Sequence, residues 1–354
     1  MTPPLPLMKD QAWPANGLER VPDCPICGSS SRSLLHDGLS DQIFFVAPGE
    51  WNLWQCVGCR SAWLDPRPNE ATIGIAYGRY YTHEEPYAAP TEPRNAYERL
   101  RAALGNGYRN RRYGTQLTPA FDFGWYFAHL VPLLRSPIDL SYRFLSAPSS
   151  RVKRVLDIGA GNGAWLELAQ KAGWHIAAVE TDAVARRRTK DRGIEVREST
   201  KEWLDDPLKF DYITMSHVIE HVHDPLDLLS DSYSLLHRGG GLYIETPNID
   251  ARGHQIFGRH WRGLEPPRHL VLFNRDSLFS SVSRAGFRDI RYHTQLCAFE
   301  FTAAQSRRIA AGLDPYSSDT LQTIACPPGP IQRLQMMVDG SRSEFLTLTA
   351  RKPK

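Results

Sequence analysis

The chain has 354 residues, of which 42% are apolar and 23% charged, with a formal net charge of +3. That length accommodates two or three domains, and the balance excludes a disordered, collagen-like or fibrous chain. So small a charge calls for no nucleic-acid partner, and the best apolar stretch, Trp125 to Leu134, is broken by His129 and Pro132 and falls short of the ~18 residues of a membrane helix.

Residues 1–20 are rich in proline and read as a flexible tail. Met1 to Asp10 have no basic region ahead of an apolar core, so no secretory leader is expected. Residues 21–66 hold four of the six cysteines, in two pairs of identical spacing, Cys24-Pro-Ile-Cys27 and Cys56-Val-Gly-Cys59. Paired CxxC motifs fit a four-thiolate zinc site better than a disulfide framework. Four thiolates leave no open position on the metal, so the site is expected to be structural, with Gly28 and Gly58 in its tight knuckles. Cys297 and Cys326 stand alone. Such cysteine usage points to a reducing, cytoplasmic compartment.

Residues 67–150 form a helical, aromatic connecting region with patches at Tyr77 to Tyr81 and Phe121 to Phe127. Glu98 to Tyr113 carries Arg99, Arg101, Arg109, Arg111 and Arg112. It reads either as a solvated helical face or as a grip for a nucleotide-sugar diphosphate or RNA.

From residue 151 the pattern alternates. Strands are expected at 152–158, 176–180, 194–196, 210–215, 242–246, 287–294 and 344–350. Helices are expected at 164–172, 183–191, 225–236 and 276–285, mostly stopped by glycine. Gly239-Gly240-Gly241 reads as the loop that ends the third of them. Strands alternating with helices give a layered α/β sheet, mostly parallel, that binds ligands at the carboxyl ends of its strands. Residues 296–342 lack a sheet period and read as an insertion before the last strand.

The first strand runs into Asp157-Ile-Gly159-Ala-Gly161-Asn-Gly163, and Glu180 closes the second. Glycines let a backbone turn tightly and approach a ligand closely. A carboxylate at the second strand's end is placed to accept both ribose hydroxyls of a nucleoside. The run Val155 to Gly163, then Glu180, then Phe210-Asp-Tyr-Ile, resembles class I S-adenosylmethionine-dependent methyltransferases. That resemblance implies a Rossmann-like seven-stranded α/β sheet with the last strand antiparallel, over residues 151–354. It implies that Gly159, Gly161 and Gly163 line the methionine end of the cofactor, that Glu180 holds the ribose and that the segment near Ser199 and Thr200 flanks the adenine, with Asp157, Thr181 and Ser216 also among the expected cofactor-binding residues. The cysteine pattern, extended by Trp63-Leu-Asp-Pro-Arg-Pro68 and Tyr77-Gly-Arg-Tyr-Tyr81, resembles the small N-terminal zinc-binding domain of many bacterial sugar and polysaccharide methyltransferases.

Ser216-His217-Val-Ile-Glu220-His221 follows the fourth strand. If this segment is helical, His217, Glu220 and His221 share a face. It resembles the Glu-His signature of ubiquinone-pathway O-methyltransferases, where a histidine serves as general base. It also resembles the ExxEH metal site of small-RNA 2′-O-methyltransferases, with His217 in place of the first Glu and a further histidine from His269. His221, His217 and His269 are therefore the candidate catalytic residues, with a second divalent ion on His217, Glu220, His221 and His269 as the variant reading. The irregular stretch around Trp261 and Arg268 resembles a loop that crosses the active site, where Arg262 and Arg268 could grip an anion.

The expected function is methyl transfer from S-adenosylmethionine to a hydroxyl of a sugar, nucleotide-sugar or related small-molecule intermediate, without a membrane partner. RNA methylation and an inactive cofactor-binding scaffold are the alternatives.

Overall fold

The computed structural model describes residues 12–78, 95–147, 153–295, 298–316 and 340–354. Five strands come first: β1 (Leu18–Glu19), β2 (Arg32–Leu39), β3 (Trp51–Cys56), β4 (Ala62–Leu64) and β5 (Arg67–Pro68). Three helices follow, α1 (Ala96–Tyr113), α2 (Gly124–Leu130) and α3 (Pro132–Ser141). The alternating part runs β6 (Lys153–Ile158), α4 (Ala164–Lys171), β7 (Trp174–Val179), α5 (Ala183–Asp191), β8 (Glu195–Arg197), α6 (Lys201–Leu204), β9 (Phe210–Ser216), α7 (Pro225–Leu235) and β10 (Leu236–Pro247). It closes with α8 (Arg252–Phe257), β11 (Val271–Leu272), α9 (Arg275–Arg284), β12 (Arg288–His293), α10 (Ala298–Ala310) and β13 (Phe345–Arg351).

A seven-stranded mixed sheet has the order β12-β13-β10-β9-β6-β7-β8, its last strands antiparallel. β6 lies centrally and pairs in parallel with both β7 and β9. Its four final residues, Val155 to Ile158, are buried, as expected for a strand covered on both faces. This is the expected α/β methyltransferase sheet. One element differs. The glycine run that reads as a loop lies within β10, because Gly239 N–H donates to Lys352 O at 3.0 Å and Gly240 O accepts from Lys352 N–H at 2.9 Å. A Cβ on Gly241 would stand 2.4 Å from the Tyr212 ring, so glycine here serves a close approach.

The chain forms two compact units, each built from three stretches. One comprises Met1–Tyr81, His217–Ser230 and Ile244–Leu348; the other comprises Thr82–Ser216, Asp231–Tyr243 and Thr349–Lys354. The linear division at residues 20, 66 and 150 is thus not how the chain packs. In the cysteine-bearing unit, β2, β3 and β4 form a four-stranded sheet completed by β11, with Val271 opposite Trp63. Trp51, Leu53, Trp261 and Leu272 belong to its core. Residues 12–20 are not a tail: Trp13 is buried edge-on against Trp51, and β1 pairs with β5. Residues 1–11 lie outside the described residues. The stretch expected to be a crossing loop is packed into this unit, with Trp261, Leu264, Arg268 and His269 all buried. The expected insertion before the last strand holds α10; residues 317–339 lie outside the described residues.

In the other unit, α1 is capped by Asn95, whose side chain accepts from Glu98 N–H, and ends at Gly114 with φ 71°. α1 meets both the segment before α2 and the first residue of α2 backbone to backbone: a Cβ on Gly107 would stand 1.8 Å from Phe121 O, and one on Gly124 2.2 Å from Leu104 O. Tyr108 and Tyr113 both donate to the buried Asp139, at 2.8 and 2.6 Å. Arg111 lies over the rings of Trp125 and Tyr126.

Candidate functional site

The glycine turn follows β6. Gly159, Gly161 and Gly163 all have positive φ, at 70°, 57° and 78°. A side chain at any of them would be strained. Gly159 and Ala160 N–H both donate to Val179 O, at 2.8 and 3.1 Å, which fixes the turn to the end of β7. The next residue, Glu180, is buried and engaged at both oxygens. Oε2 accepts from Gly161 N–H at 2.6 Å and Oε1 from Asp182 N–H at 2.9 Å. Each oxygen keeps a further lone pair for another donor. Burial raises the Glu180 carboxyl above its ordinary pKa, and the two backbone N–H groups oppose that rise.

Asp157 is buried on the same strand end. Its Oδ1 accepts from Thr214 Oγ1–H at 2.7 Å and from the Arg143 guanidinium. Its Oδ2 is buried without a hydrogen-bond partner. Burial again raises its pKa, against Arg143 and Thr214. Ser216 ends β9. Thr181 is exposed, and Ser199 is half-buried before α6. Thr200 differs from expectation: its buried hydroxyl donates to Asp231 Oδ2 at 2.6 Å, so its side chain is committed to that carboxylate.

In the cysteine-bearing unit, residues 217–223 form turns rather than a helix. His217 has φ 56°, and its ring is not part of the group that Glu220, His221 and His269 form. Its Nε2 lies 3.1 Å from Glu245 Oε1, and its Nδ1 lies 3.4 Å from Glu220 Oε1. Burial by itself would lower the His217 pKa, but the two carboxylates raise it to about 10.

His221, His269 and Glu220 do come together, with one donor atom from each within 4.8 Å of the others. His221 Nδ1 is 3.0 Å from both Arg268 O and Tyr77 Oη, and His269 Nδ1 is 2.8 Å from Gly263 O. A carbonyl can only accept, so each Nδ1 carries the hydrogen and each Nε2 keeps its lone pair. Burial lowers the His221 pKa, and lowers that of His269 to about 4. Both rings are therefore neutral at pH 7. Glu220 is fully buried. Its Oε2 accepts from Thr246 Oγ1–H at 2.8 Å, while Oε1 faces His217 Nδ1 at 3.4 Å. Burial would raise its pKa, but the surrounding imidazoles bring it to about 2.

The two arginines expected to grip an anion are already paired. Arg268 is fully buried, with Nη1 and Nη2 on Asp41 at 3.0 and 2.5 Å and Nε on Glu265 at 3.0 Å. Arg262 pairs with Glu265 and with Tyr316 Oη.

The four cysteine sulfurs Cys24, Cys27, Cys56 and Cys59 also lie within 4.8 Å of one another. Cys24 and Cys59 are 3.6 Å apart, and Cys27 and Cys56 3.5 Å. A zinc tetrahedron with Zn–S near 2.3 Å has edges of about 3.8 Å, so the donors fit such an ion. The knuckles match each other. Cys24 O accepts from Gly28 N–H and Cys56 O from Arg60 N–H, at 2.9 and 3.0 Å. The left-handed residues are Gly28 and Arg60, at 75° and 61°; Gly58 is not one of them.

Arg143 was not visible in the sequence as a site residue. It precedes Asp157 by 14 positions in a stretch without period, and only the packing of its loop brings it to β6.

Residues 133–292 match the family model of a methyltransferase domain. The ubiquinone biosynthesis O-methyltransferase of Xylella fastidiosa (strain 9a5c) is 34% identical over 140 residues, covering 36% of this chain and 56% of that protein. The protein of the same name from Azotobacter vinelandii is 33% identical over 112 residues, covering 29% and 48%. The chain thus spans about half the length of these relatives. Among solved structures, the Haemonchus contortus phosphoethanolamine N-methyltransferase 2 in complex with S-adenosyl-L-methionine aligns at TM-score 0.42 and 18% identity, over 83% of this chain and 63% of that one. A methyltransferase from Archaeoglobus fulgidus aligns at TM-score 0.41 and 21% identity, over 64% and 94%. Likenesses this loose carry no argument about activity.

Proposed function

We propose that the protein transfers a methyl group from S-adenosylmethionine to a hydroxyl of a small molecule, a sugar or nucleotide-sugar being the favoured acceptor. The observation that carries this reading is the glycine turn beside the buried Glu180, within a segment matching a methyltransferase domain. The orphaned Asp157 Oδ2 and the three left-handed glycines fit the amino-acid end of that cofactor, and the spare lone pairs of Glu180 fit its ribose. The name of the relatives favours oxygen as the acceptor atom.

S-adenosylmethionine, when bound, supplies an electrophilic sulfonium methyl. The chain's own contribution is alignment and exclusion of water. Gly159, Gly161 and Gly163 let backbone come close, and Glu180 accepts from the ribose hydroxyls. His221, neutral and with Nε2 unprotonated, takes the acceptor's proton as general base; His269 supports it. His217, held protonated between two carboxylates, serves as a fixed donor. The Cys24, Cys27, Cys56 and Cys59 thiolates hold a structural zinc, and such thiolates persist in a reducing cytoplasm. The arginines of α1 engaged with aromatic rings weaken an RNA grip.

The gathering of one donor atom each from Glu220, His221 and His269 favours a second reading, in which they hold a divalent ion that acidifies the acceptor hydroxyl. His217 would not be a ligand there.

Calorimetry with S-adenosylhomocysteine tests the cofactor. Glu180→Gln is expected to weaken binding by about 1–3 kcal/mol, through loss of charge-assisted hydrogen bonds; wild-type protein that binds neither the cofactor nor its product refutes the reading. His221→Ala is expected to slow turnover of hydroxyl acceptors ~10²–10⁴-fold at unchanged cofactor affinity. Brief chelation that leaves the cysteine zinc in place should spare activity if His221 acts alone, and abolish it if an ion is required.

A further inference from the structure

We propose that the outer face of α2, with the arginines beside it, docks onto an anionic lipid surface. The site is independent of the methyl-transfer reading. It is peripheral: among the described residues no helix is long and apolar enough to cross a membrane. The expectation of a chain without a membrane partner rests on that lack of a span, and a helix lying flat in the interface needs none.

The apolar stripe of α2 points outward. Phe123 precedes the helix with helical backbone already, at φ −71° and ψ −9°. Phe123, Tyr126, Phe127 and Leu130 then follow the i, i+3, i+4, i+7 spacing of a single face. All four are exposed, from 39% for Phe127 to 81% for Leu130. Such a stripe ordinarily faces a core, yet the buried residues of α2 are Gly124 and Ala128. A Cβ on Gly124 would stand 2.2 Å from Leu104 O. Only the small-residue face can therefore lie against α1, and the large side chains are left outside. Phe121 extends the stripe, exposed and stacked on Phe123 with ring centroids 5.5 Å apart. Single exposed apolar residues are ordinary, whereas a contiguous set marks an interaction surface.

The charge around the stripe selects the partner. Residues 95–135 hold six arginines against two acidic residues, Glu98 and Asp122. Arg99, Arg101 and Arg111 are exposed, and among the described residues none of the three forms a salt bridge. Arg111 leans on the stripe, its guanidinium 5.0 Å from the Trp125 ring centroid and 5.4 Å from that of Tyr126. An arginine laid along aromatic rings keeps its stem against apolar surface and its charge toward water. Trp, Tyr and Arg at one level match the headgroup zone of a bilayer, where amphipathic rings sit and anionic lipids attract cations. A second copy of the chain fits less well. Two-fold pairing sets a patch against itself, which here brings guanidinium groups of like charge together.

The size of the face sets how it binds. Affinity for an interface grows with the apolar area buried and with attraction to anionic lipid. α2 has seven residues, about two turns, so its side chains reach only the boundary between headgroups and acyl chains. Neither contribution suffices alone, and contact should depend on both at once. The helix is already folded against α1, so docking costs little ordering entropy.

The test pellets the full chain with sucrose-loaded vesicles, of phosphatidylcholine alone or with about 30% phosphatidylglycerol. Wild type is expected to partition ~10-fold or more in favour of the anionic vesicles, and to lose most of that preference as salt rises from ~0.05 to ~0.5 M. Tyr126→Ser combined with Leu130→Ser, both at exposed positions, should weaken binding ~10-fold at an unchanged melting temperature. Arg111→Gln should weaken binding to the anionic vesicles alone, and carries the test if the double variant melts early. A wild type that binds neither vesicle overturns the proposal, as does binding that ignores lipid charge or is untouched by the double variant. Sedimentation velocity supplies the last arm: a monomer agrees with a face left open for lipid, whereas a dimer that the double variant dissociates gives the face to a second copy and overturns the lipid assignment.

Discussion

Asp41 accepts hydrogen bonds from four backbone N–H groups, those of Ile43, Phe44, Val46 and Ala47, and from both terminal nitrogens of Arg268. The Arg268 guanidinium and those N–H groups hold its carboxyl below the ordinary range against the effect of burial. Removing one partner of a buried ion pair leaves the other unpaired, so Arg268→Met is expected to cost about 3–5 kcal/mol in chemical denaturation. The sequence places Arg268 on an irregular segment and gives no hint that Asp41, 227 positions away, is its partner. His36 and His254 supply a second residue-scale expectation. His254 Nδ1–H donates to Ile249 O at 2.7 Å, so its Nε2 accepts from His36 Nε2–H at 2.9 Å. Burial first, then His254 and Arg259, lower the His36 pKa to about 4, against about 6.5 in an unfolded chain. Above pH 6.5 both states are neutral and the pair contributes fully. Between 6.5 and 4 only the unfolded chain takes the proton, so stability falls as pH falls, and levels below 4. Melting temperature followed from pH 7 to 4 should drop, with a shallower slope in His36→Gln; parallel slopes would exclude His36.

At the scale of elements, the alternating strands and helices from residue 153 onward were legible because each carries its signal locally: an apolar run such as Val155 to Ile158, then a glycine stop. β11 was not legible. It has two residues, and it exists because Val271 and Leu272 pair with Trp63 and Ala62, which leaves no period to read. Residues 217–223 form turns where the i, i+3, i+4 spacing also allows a helix, because spacing alone cannot show that His217 is left-handed. α9 ties the cysteine site to the rest of its unit. Its N-cap Asn274 donates from Nδ2 to Cys59 O at 2.8 Å, and Arg284 in its last turn donates to Ile26 O at 2.8 Å. Elemental analysis is expected to find one zinc per chain. Stripping it should raise hydrogen exchange in α9 as well as in residues 22–61, since both ends of the helix lean on the knuckles. Exchange changes confined to the knuckles would show the helix to be independent.

For the whole molecule, a linear reading expects an N-terminal metal module followed by a catalytic domain. Each compact unit instead draws on three separated stretches of chain, which composition and motif spacing cannot reveal. Residues 1–81 lack β11, Arg268 and Trp261, with which they form sheet, ion pair and core. Expressed alone with zinc, they are expected to give poorly dispersed amide NMR resonances, whereas a dispersed spectrum would mark a self-sufficient module. The glycine turn and Glu180 were legible because they sit in one contiguous segment. Glu220, His221 and His269 were legible as residues, and their neutral, Nδ1-anchored state emerged only from the carbonyls around them.

Trp165, stacked beneath Arg143 with its indole N–H on Ser141 O, gives the glycine turn an optical reporter. Indole emission responds to a cation held against its face and to the polarity around its nitrogen. Any ligand that draws the guanidinium aside or shields the ring should therefore shift the emission maximum, and the difference spectrum against Trp165→Phe isolates this ring from the other eight tryptophans. A stopped-flow trace of that signal would then time the arrival of ligand, in a molecule carrying no added dye.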